Sequence, residues 1–213
     1  MRYYPAYLDL RDRPCVVLGG GAVSERKALS LLEAGADVTI VSPTLTPKLQ
    51  ELSDSGKIDH LPRIFNEQDL SGAYLVIAAT DSPEENIRAS DACKKRRVLV
   101  NCAAPPEAGN FIVPSMVDRG DLLIAVSTSG ASPALSRKIR KELEERYGPA
   151  YEQFLARMEN VRKRVLEETP DEDTRRKIFE TIVESDVLDL LRQGKVHEAD
   201  HRMTELAGLK HRG

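Results

Sequence analysis

Cys15-Val16-Val17-Leu18-Gly19-Gly20-Gly21-Ala22-Val23-Ser24-Glu25-Arg26-Lys27 is the stretch that decides the fold class. Four apolar residues stop at three glycines, and a helix-compatible segment follows at once. This pattern predicts a buried strand, a tight turn and the first turn of a helix. Glycines let the backbone approach a ligand closely, and a helix start offers unpaired N–H groups to a pyrophosphate. Read as G-x-G-x-x-S through Gly19, Gly21 and Ser24, the stretch is a dinucleotide-binding fingerprint with a small residue in third place.

Outward from this turn the chain alternates strand and helix. Residues 22–34 read as a helix with Ala28, Leu31 and Leu32 toward a sheet, stopped by Gly35. Asp37-Val38-Thr39-Ile40-Val41 reads as a second strand, close enough to make a right-handed parallel crossover. Residues 45–53 suggest a helix and 58–63 a weaker strand. Ala73-Tyr74-Leu75-Val76-Ile77-Ala78-Ala79 is wholly apolar, as a central parallel strand covered on both faces should be. Thr80-Asp81-Ser82-Pro83-Glu84 leads into a helix to about Arg96, and 98–101 is another strand. Residues 4–10 could form a short edge segment. The whole is an α/β doubly wound parallel sheet.

The rhythm changes at 103–110, the least regular stretch. Residues 111–114 and 122–126 read as strands around a turn at Asp118-Arg119-Gly120. Thr128-Ser129-Gly130-Ala131 is a loop, and Ser132 caps a helix with Pro133 in its first position. From Tyr151 onward the pattern is helical, with Tyr151, Phe154, Leu155, Met158, Val161 and Val165 on one stripe. Thr169-Pro170-Asp171-Glu172 reads as a capping box. The expected domains are 1–110, 111–149 and 150–213.

Composition narrows the function classes. Of 213 residues, 31 are Lys or Arg and 34 Asp or Glu; a net charge of −3 gives no electrostatic case for nucleic acid or an anionic membrane. Cys15, Cys93 and Cys102 form no C-x-x-C pair and read as reduced, partly buried thiols of a cytoplasmic protein. Met1-Arg2-Tyr3-Tyr4-Pro5 lacks the apolar region of a signal peptide, and residues 73–79 are too short to span a bilayer.

Four stretches could carry chemistry. A standard NAD fingerprint wants an acid after the second strand; here Val41-Ser42-Pro43-Thr44 offers hydroxyls, no acid, and no arginine for a 2′-phosphate. Thr80 and Asp81 follow the central strand, where open α/β sheets bind ligands, and could equally serve as turn and cap. The loop of Thr128, Ser129, Gly130 and Ser132, followed by Arg137, Lys138, Arg140 and Lys141, suits a carboxylate or phosphate, although composition alone favours a capped helix with a solvated basic face. Finally, His197-Glu198-Ala199-Asp200-His201 matches the zinc-protease H-E-x-x-H. Its only further histidine is His211, near the end of the sequence, so a chance match is the better account and no metal is expected. His60 reads as an ordinary surface or turn residue.

Gly19 to Lys27, Leu32-Glu33-Ala34-Gly35-Ala36, Ala78-Ala79-Thr80-Asp81, Asn86, Asn101, Phe111-Ile112-Val113-Pro114-Ser115, Asp118-Arg119 and Ala125-Val126-Ser127-Thr128-Ser129-Gly130-Ala131-Ser132-Pro133 occur in this order. Together they resemble the precorrin-2 dehydrogenases of sirohaem synthesis, in a form without the methyltransferase half of the fused sirohaem synthases. The resemblance implies a Rossmann-like domain, a small α+β dimerisation segment and a C-terminal helical domain, assembled as a homodimer. It implies oxidation of precorrin-2 to sirohydrochlorin with NAD⁺, with iron insertion in some members. It carries NAD contacts onto Ala22, Val23, Pro43 and Thr44, and a phosphorylated loop serine of some members onto Thr128. Given the resemblance, the Thr128 loop and Arg137 gain a use in holding a polycarboxylate substrate. Ala104 stands where bifunctional members carry an aspartate, which favours dehydrogenation over iron insertion; Glu107 and Asp118 are the acids that could replace it. The rival from another class is a nucleotide-sensing module that binds without turnover.

Overall fold

In the computed structural model, which describes residues 3–209, the glycine-tipped run forms β1 (Pro14–Leu18), with all but its first residue buried. Met1, Arg2 and His211 lie outside the described residues. Then follow α1 (Ala22–Glu33), β2 (Asp37–Val41), α2 (Pro47–Asp54), β3 (Asp59–Leu61), β4 (Leu75–Ala78), α3 (Pro83–Lys95) and β5 (Leu99–Cys102). The strands lie in the order β3-β2-β1-β4-β5, all parallel. After β3 the chain crosses to the other side of β1, so the winding reverses between β1 and β4.

Period-two geometry explains the unbroken apolar runs. Cys15 and Val17 of β1 join Ile40, Ile77, Ala28, Leu31 and Leu49 in the core on one face. Val16 and Leu18 join Val76, Ala78, Ala89, Cys93 and Val100 on the other. A strand covered on both faces has no position at which a polar side chain could reach water. Burying Val17, Ile40 and Ile77, each at 2% exposure or less, contributes about 1.5–3 kcal/mol apiece.

By its contacts the chain divides into two compact units, residues 1–113 and 114–213. The second begins with an antiparallel hairpin, β6 (Ser115–Arg119) and β7 (Leu122–Val126), followed by α4 (Pro133–Arg146). Arg119 ties the hairpin to the end of α4, donating from Nε to the Tyr147 carbonyl at 2.9 Å and from Nη2 to that of Glu144 at 3.3 Å. The helices α5 (Ala150–Glu168), α6 (Glu172–Glu184), α7 (Val187–Arg192) and α8 (Val196–Leu206) enclose their own core of Phe154, Val165, Ile182, Val187, Leu191 and Met203.

Several local expectations shift. Residues 4–10 form no strand and are exposed up to Leu10, which is buried. The second helix starts at Pro47 rather than 45, because Thr46 caps it by accepting from Leu49 N and proline suits the first position. Residues 111–114 are not a strand. Asn110 meets β5 only at Val100, through its side-chain oxygen and its own N–H, and Pro114 has no N–H to extend a ladder. The pairing begins at Ser115 and the turn falls at Gly120, with Asp118 and Arg119 still in β6. The cap of α6 is Asp171, not Thr169, since it is Asp171 that accepts from Thr174 N at 2.7 Å.

All three thiols are buried, more completely than the sequence reading held, and burial pushes Cys15 and Cys93 up to about 11. A thiol reagent should therefore register none of the three in the folded protein near neutral pH and all three after unfolding. In urea unfolding, Gly20→Ala should cost about 2–4 kcal/mol, because its Cβ would sit 1.9 Å from the Thr44 carbonyl oxygen. Gly21→Ala, whose Cβ meets nothing within 4 Å, should cost under about 1 kcal/mol.

Candidate functional site

The glycine turn draws three strand ends together. Gly19 holds a φ of 105° and donates its N–H to the Val41 carbonyl at 2.9 Å. A Cβ on it would lie 2.4 Å from the Ala79 carbonyl oxygen. Gly20 presses against Thr44 as described and accepts from Thr46 N at 3.0 Å. Both glycines are thus required by the chain's own backbone. Only Gly21 faces open space, and it caps α1 without a side-chain hydrogen bond, so the first-turn amides lack the partner a capping side chain would supply. Ser24 is fully buried and donates to the Ala79 carbonyl at 3.2 Å, bringing α1 close to the end of β4. Thr46 Oγ1 donates to the Glu25 carboxylate, closing the β2–α2 loop onto α1.

The result is a crevice of about 450 Å³ outside the carboxyl ends of β1, β2 and β4. This is the switch point at which open α/β sheets bind ligands. Of the residues expected there, Gly19, Gly21, Ser42, Pro43, Thr44, Thr80 and Asp81 line it. Ala22 and Val23 do not; they open α1 next to Gly21. The sequence reading missed Gly20, Thr46, Ile64, Phe65, Ser82 and Glu85, which also line it. Gly20 and Thr46 were signalled by the turn and the Pro47 cap. Ile64 and Phe65 carried no periodic signal, since they belong to an irregular segment after β3.

Among the lining residues there is no lysine or arginine, and the acids are Asp81 and Glu85. The floor is held from beneath. His60, on β3 and half-buried rather than a surface residue, donates from Nε2 to the Ser42 carbonyl at 2.9 Å. Asn86, 1% exposed, bonds Thr80 through both ends of its amide.

The remaining candidates lie elsewhere. Glu107 is exposed on the short helical turn Pro106–Ala108 and does not line the crevice. Asp118 is in β6, where its carboxylate accepts from Gly120 N at 2.9 Å. In the second unit, Thr128 Oγ1 donates to the Ser132 carbonyl at 3.0 Å and accepts from Ser132 N at 3.1 Å. Ser129 and Gly130 take positive φ values of 55° and 87°, Ser132 caps α4, and Arg137 is exposed on that helix. His197, Glu198 and His201 flank a surface depression with Asp186, Leu190 and Arg202. Among the described residues, no three His, Cys, Asp or Glu side chains converge as a metal site would need. Nor is any helix among them long and apolar enough to cross a membrane.

Three family descriptions tile the chain: "Putative NAD(P)-binding" over residues 6–115, "Sirohaem biosynthesis protein central" over 119–146 and "Sirohaem synthase dimerisation region" over 150–206. The siroheme synthase of Thioalkalivibrio sulfidiphilus is 41% identical over 195 residues, covering 92% of this chain and 40% of that protein. The siroheme synthase of Methylobacillus flagellatus is 38% identical over 206 residues, covering 97% of this chain and 44% of that one. The chain thus spans less than half the length of these relatives. Among solved structures, SirC, a precorrin-2 dehydrogenase, superposes with a TM-score of 0.78 at 27% identity, covering 94% of this chain and 100% of that one. With the glycine turn at a Rossmann-type switch point, this chain belongs to the NAD(P)-binding family whose description spans residues 6–115, and its later segments match the sirohaem central and dimerisation regions.

Proposed function

We propose that this chain oxidises precorrin-2 to sirohydrochlorin with NAD⁺, yielding NADH and a proton. The observation that carries the reading is the crevice itself: an open helix start at Gly21, strand ends on either side, and no basic residue among those lining it. A 2′-phosphate would need such a cation, so the lining fits NAD⁺ rather than its phosphorylated form. The whole-length likeness to a precorrin-2 dehydrogenase supports the substrate.

When bound, the nicotinamide supplies the hydride acceptor. The protein's part is binding and orientation. The Gly21, Ala22 and Val23 amides meet the pyrophosphate, where the helix dipole favours negative charge. Ser42, Pro43 and Thr44 flank the adenosine ribose, and Thr80 and Asp81 close the nicotinamide end. Thr128, Ser129, Gly130, Ser132 and Arg137 receive carboxylates of the substrate. Ala104 offers no base, Glu107 is exposed outside the crevice, and the Asp118 carboxylate is engaged with Gly120 N in its own turn. The proton therefore leaves to water, which suffices for dehydrogenation. Metal insertion, which must strip protons from ring nitrogens, is disfavoured for want of that base. The matched dimerisation region supports a homodimer, and the three buried thiols suit the cytoplasm.

Incubation of the purified protein with precorrin-2 and NAD⁺ should form NADH and sirohydrochlorin in equal amounts. NAD⁺ binding without NADH formation would instead support a sensing module and reject the enzyme. Gly21→Asp should keep the melting temperature, since aspartate is a good N-cap and nothing crowds the site. It should weaken NAD⁺ binding by roughly a hundredfold or more, because the new carboxylate faces the pyrophosphate. Unchanged affinity in calorimetry would refute the assignment of the turn.

A further inference from the structure

The side chain of Asn86, at the first turns of α3, is 1% exposed and uses its whole hydrogen-bonding capacity. Its Oδ1 accepts from Thr80 N and from Thr80 Oγ1, each at 2.9 Å. Its Nδ2 donates to the Thr80 carbonyl and to the Ala104 carbonyl, each at 3.1 Å. A primary amide has two acceptor sites and two N–H donors, and all four are engaged here. The two loops so joined leave the sheet at the carboxyl ends of neighbouring strands, β4 and β5.

This demand is specific to asparagine. Aspartate has the same shape but no donor at neutral pH, and would set a carboxylate oxygen against two carbonyl oxygens. Water cannot substitute at such burial. The single Thr80 hydroxyl proton is shared between Asn86 Oδ1 and the Ser82 carbonyl at 3.1 Å, and the hydroxyl oxygen accepts from Ser82 N at 3.3 Å. The polar groups of Thr80 are therefore satisfied inward, by Asn86 and Ser82. Thr80, Asp81 and Ser82 line one end of the crevice while Asn86 does not line it at all. The opposite end is formed by the loop after β2, which in dinucleotide-binding folds takes the adenosine ribose.

We infer that Asn86 is a positioning residue: by clamping the Thr80–Ser82 loop to Ala104 it sets the nicotinamide end of the crevice and leaves the adenosine end untouched. This rests on the dinucleotide reading above. It adds to that reading a division of the site into two halves held by different supports. The adenosine half depends on the glycine turn and Thr46, whereas the loop beyond Ala79 depends on the buried Asn86 carboxamide.

The test compares NAD⁺ with ADP-ribose, which lacks only the nicotinamide, by calorimetry on the full chain. Asn86→Asp should weaken NAD⁺ roughly tenfold or more, from the loss of two buried donors, and ADP-ribose by less than about twofold. Equal weakening of both ligands would make Asn86 a general scaffold residue and overturn the inference, as would no change in either. If the wild-type chain binds neither ligand, the dinucleotide reading fails first and the inference falls with it. Asn86→Ser, which is smaller and keeps one donor and one acceptor, serves as the second variant should the aspartate fail to fold. It should lower the NAD⁺ to ADP-ribose preference in the same direction and to a smaller extent.

Discussion

Everything in the first unit depends on how closely backbone approaches backbone at Gly19 and Gly20. With the Ala79 and Thr44 carbonyl oxygens where they stand, neither position has room for a single methyl group. That contact brings the ends of β1, β2 and β4 together, and hydrogen bonds from Gly19 N to Val41 O and from Thr46 N to Gly20 O hold them. The crevice is what remains once these loops are packed. Gly21, the third of the run, is the only one of the three left free to meet a ligand. One glycine-rich sequence thus serves two physical ends: dense internal packing, then an open helix start.

The same division runs through the polar residues of the site. Hydroxyls and amides near the crevice are mostly turned inward. Ser24 bonds Ala79, Thr46 bonds Glu25, and Thr80 bonds Asn86 and Ser82. Satisfied donors and acceptors hold loops rigid without side-chain bulk in the cavity, which is what a site offering mainly backbone amides requires. The loop around Thr128 in the second unit is built alike, its Thr128 and Ser132 groups bonded to each other while Ser129 and Gly130 take left-handed conformations.

Sequence patterning by itself determined the parallel α/β sheet, because period-two strands covered on both faces must be apolar throughout, as Val16 to Leu18 and Leu75 to Ala78 are. It also determined the glycine turn, the Ser132–Pro133 helix start and the apolar stripe of α5, each written within a dozen or so consecutive residues. Where a signal was local but shared between neighbours, as between Thr169 and Asp171 or Pro114 and Ser115, only geometry chose: the cap is whichever oxygen reaches the free N–H, and the strand begins where pairing can.

Long-range placement was decided by tertiary structure alone. No local pattern marks Ile64 and Phe65 as walls of the crevice, since they reach it only because β3 lies at the sheet's edge beside β2. Nor could spacing reveal that Gly19 and Gly20 face carbonyls of residues 79 and 44, or that Asn86, bonded to Thr80, also reaches Ala104 18 residues on. The physical reason is the same throughout. Propensity and periodicity act along the chain, whereas close approach and hydrogen-bond satisfaction act through space, and it is the second kind of constraint that shapes a binding site.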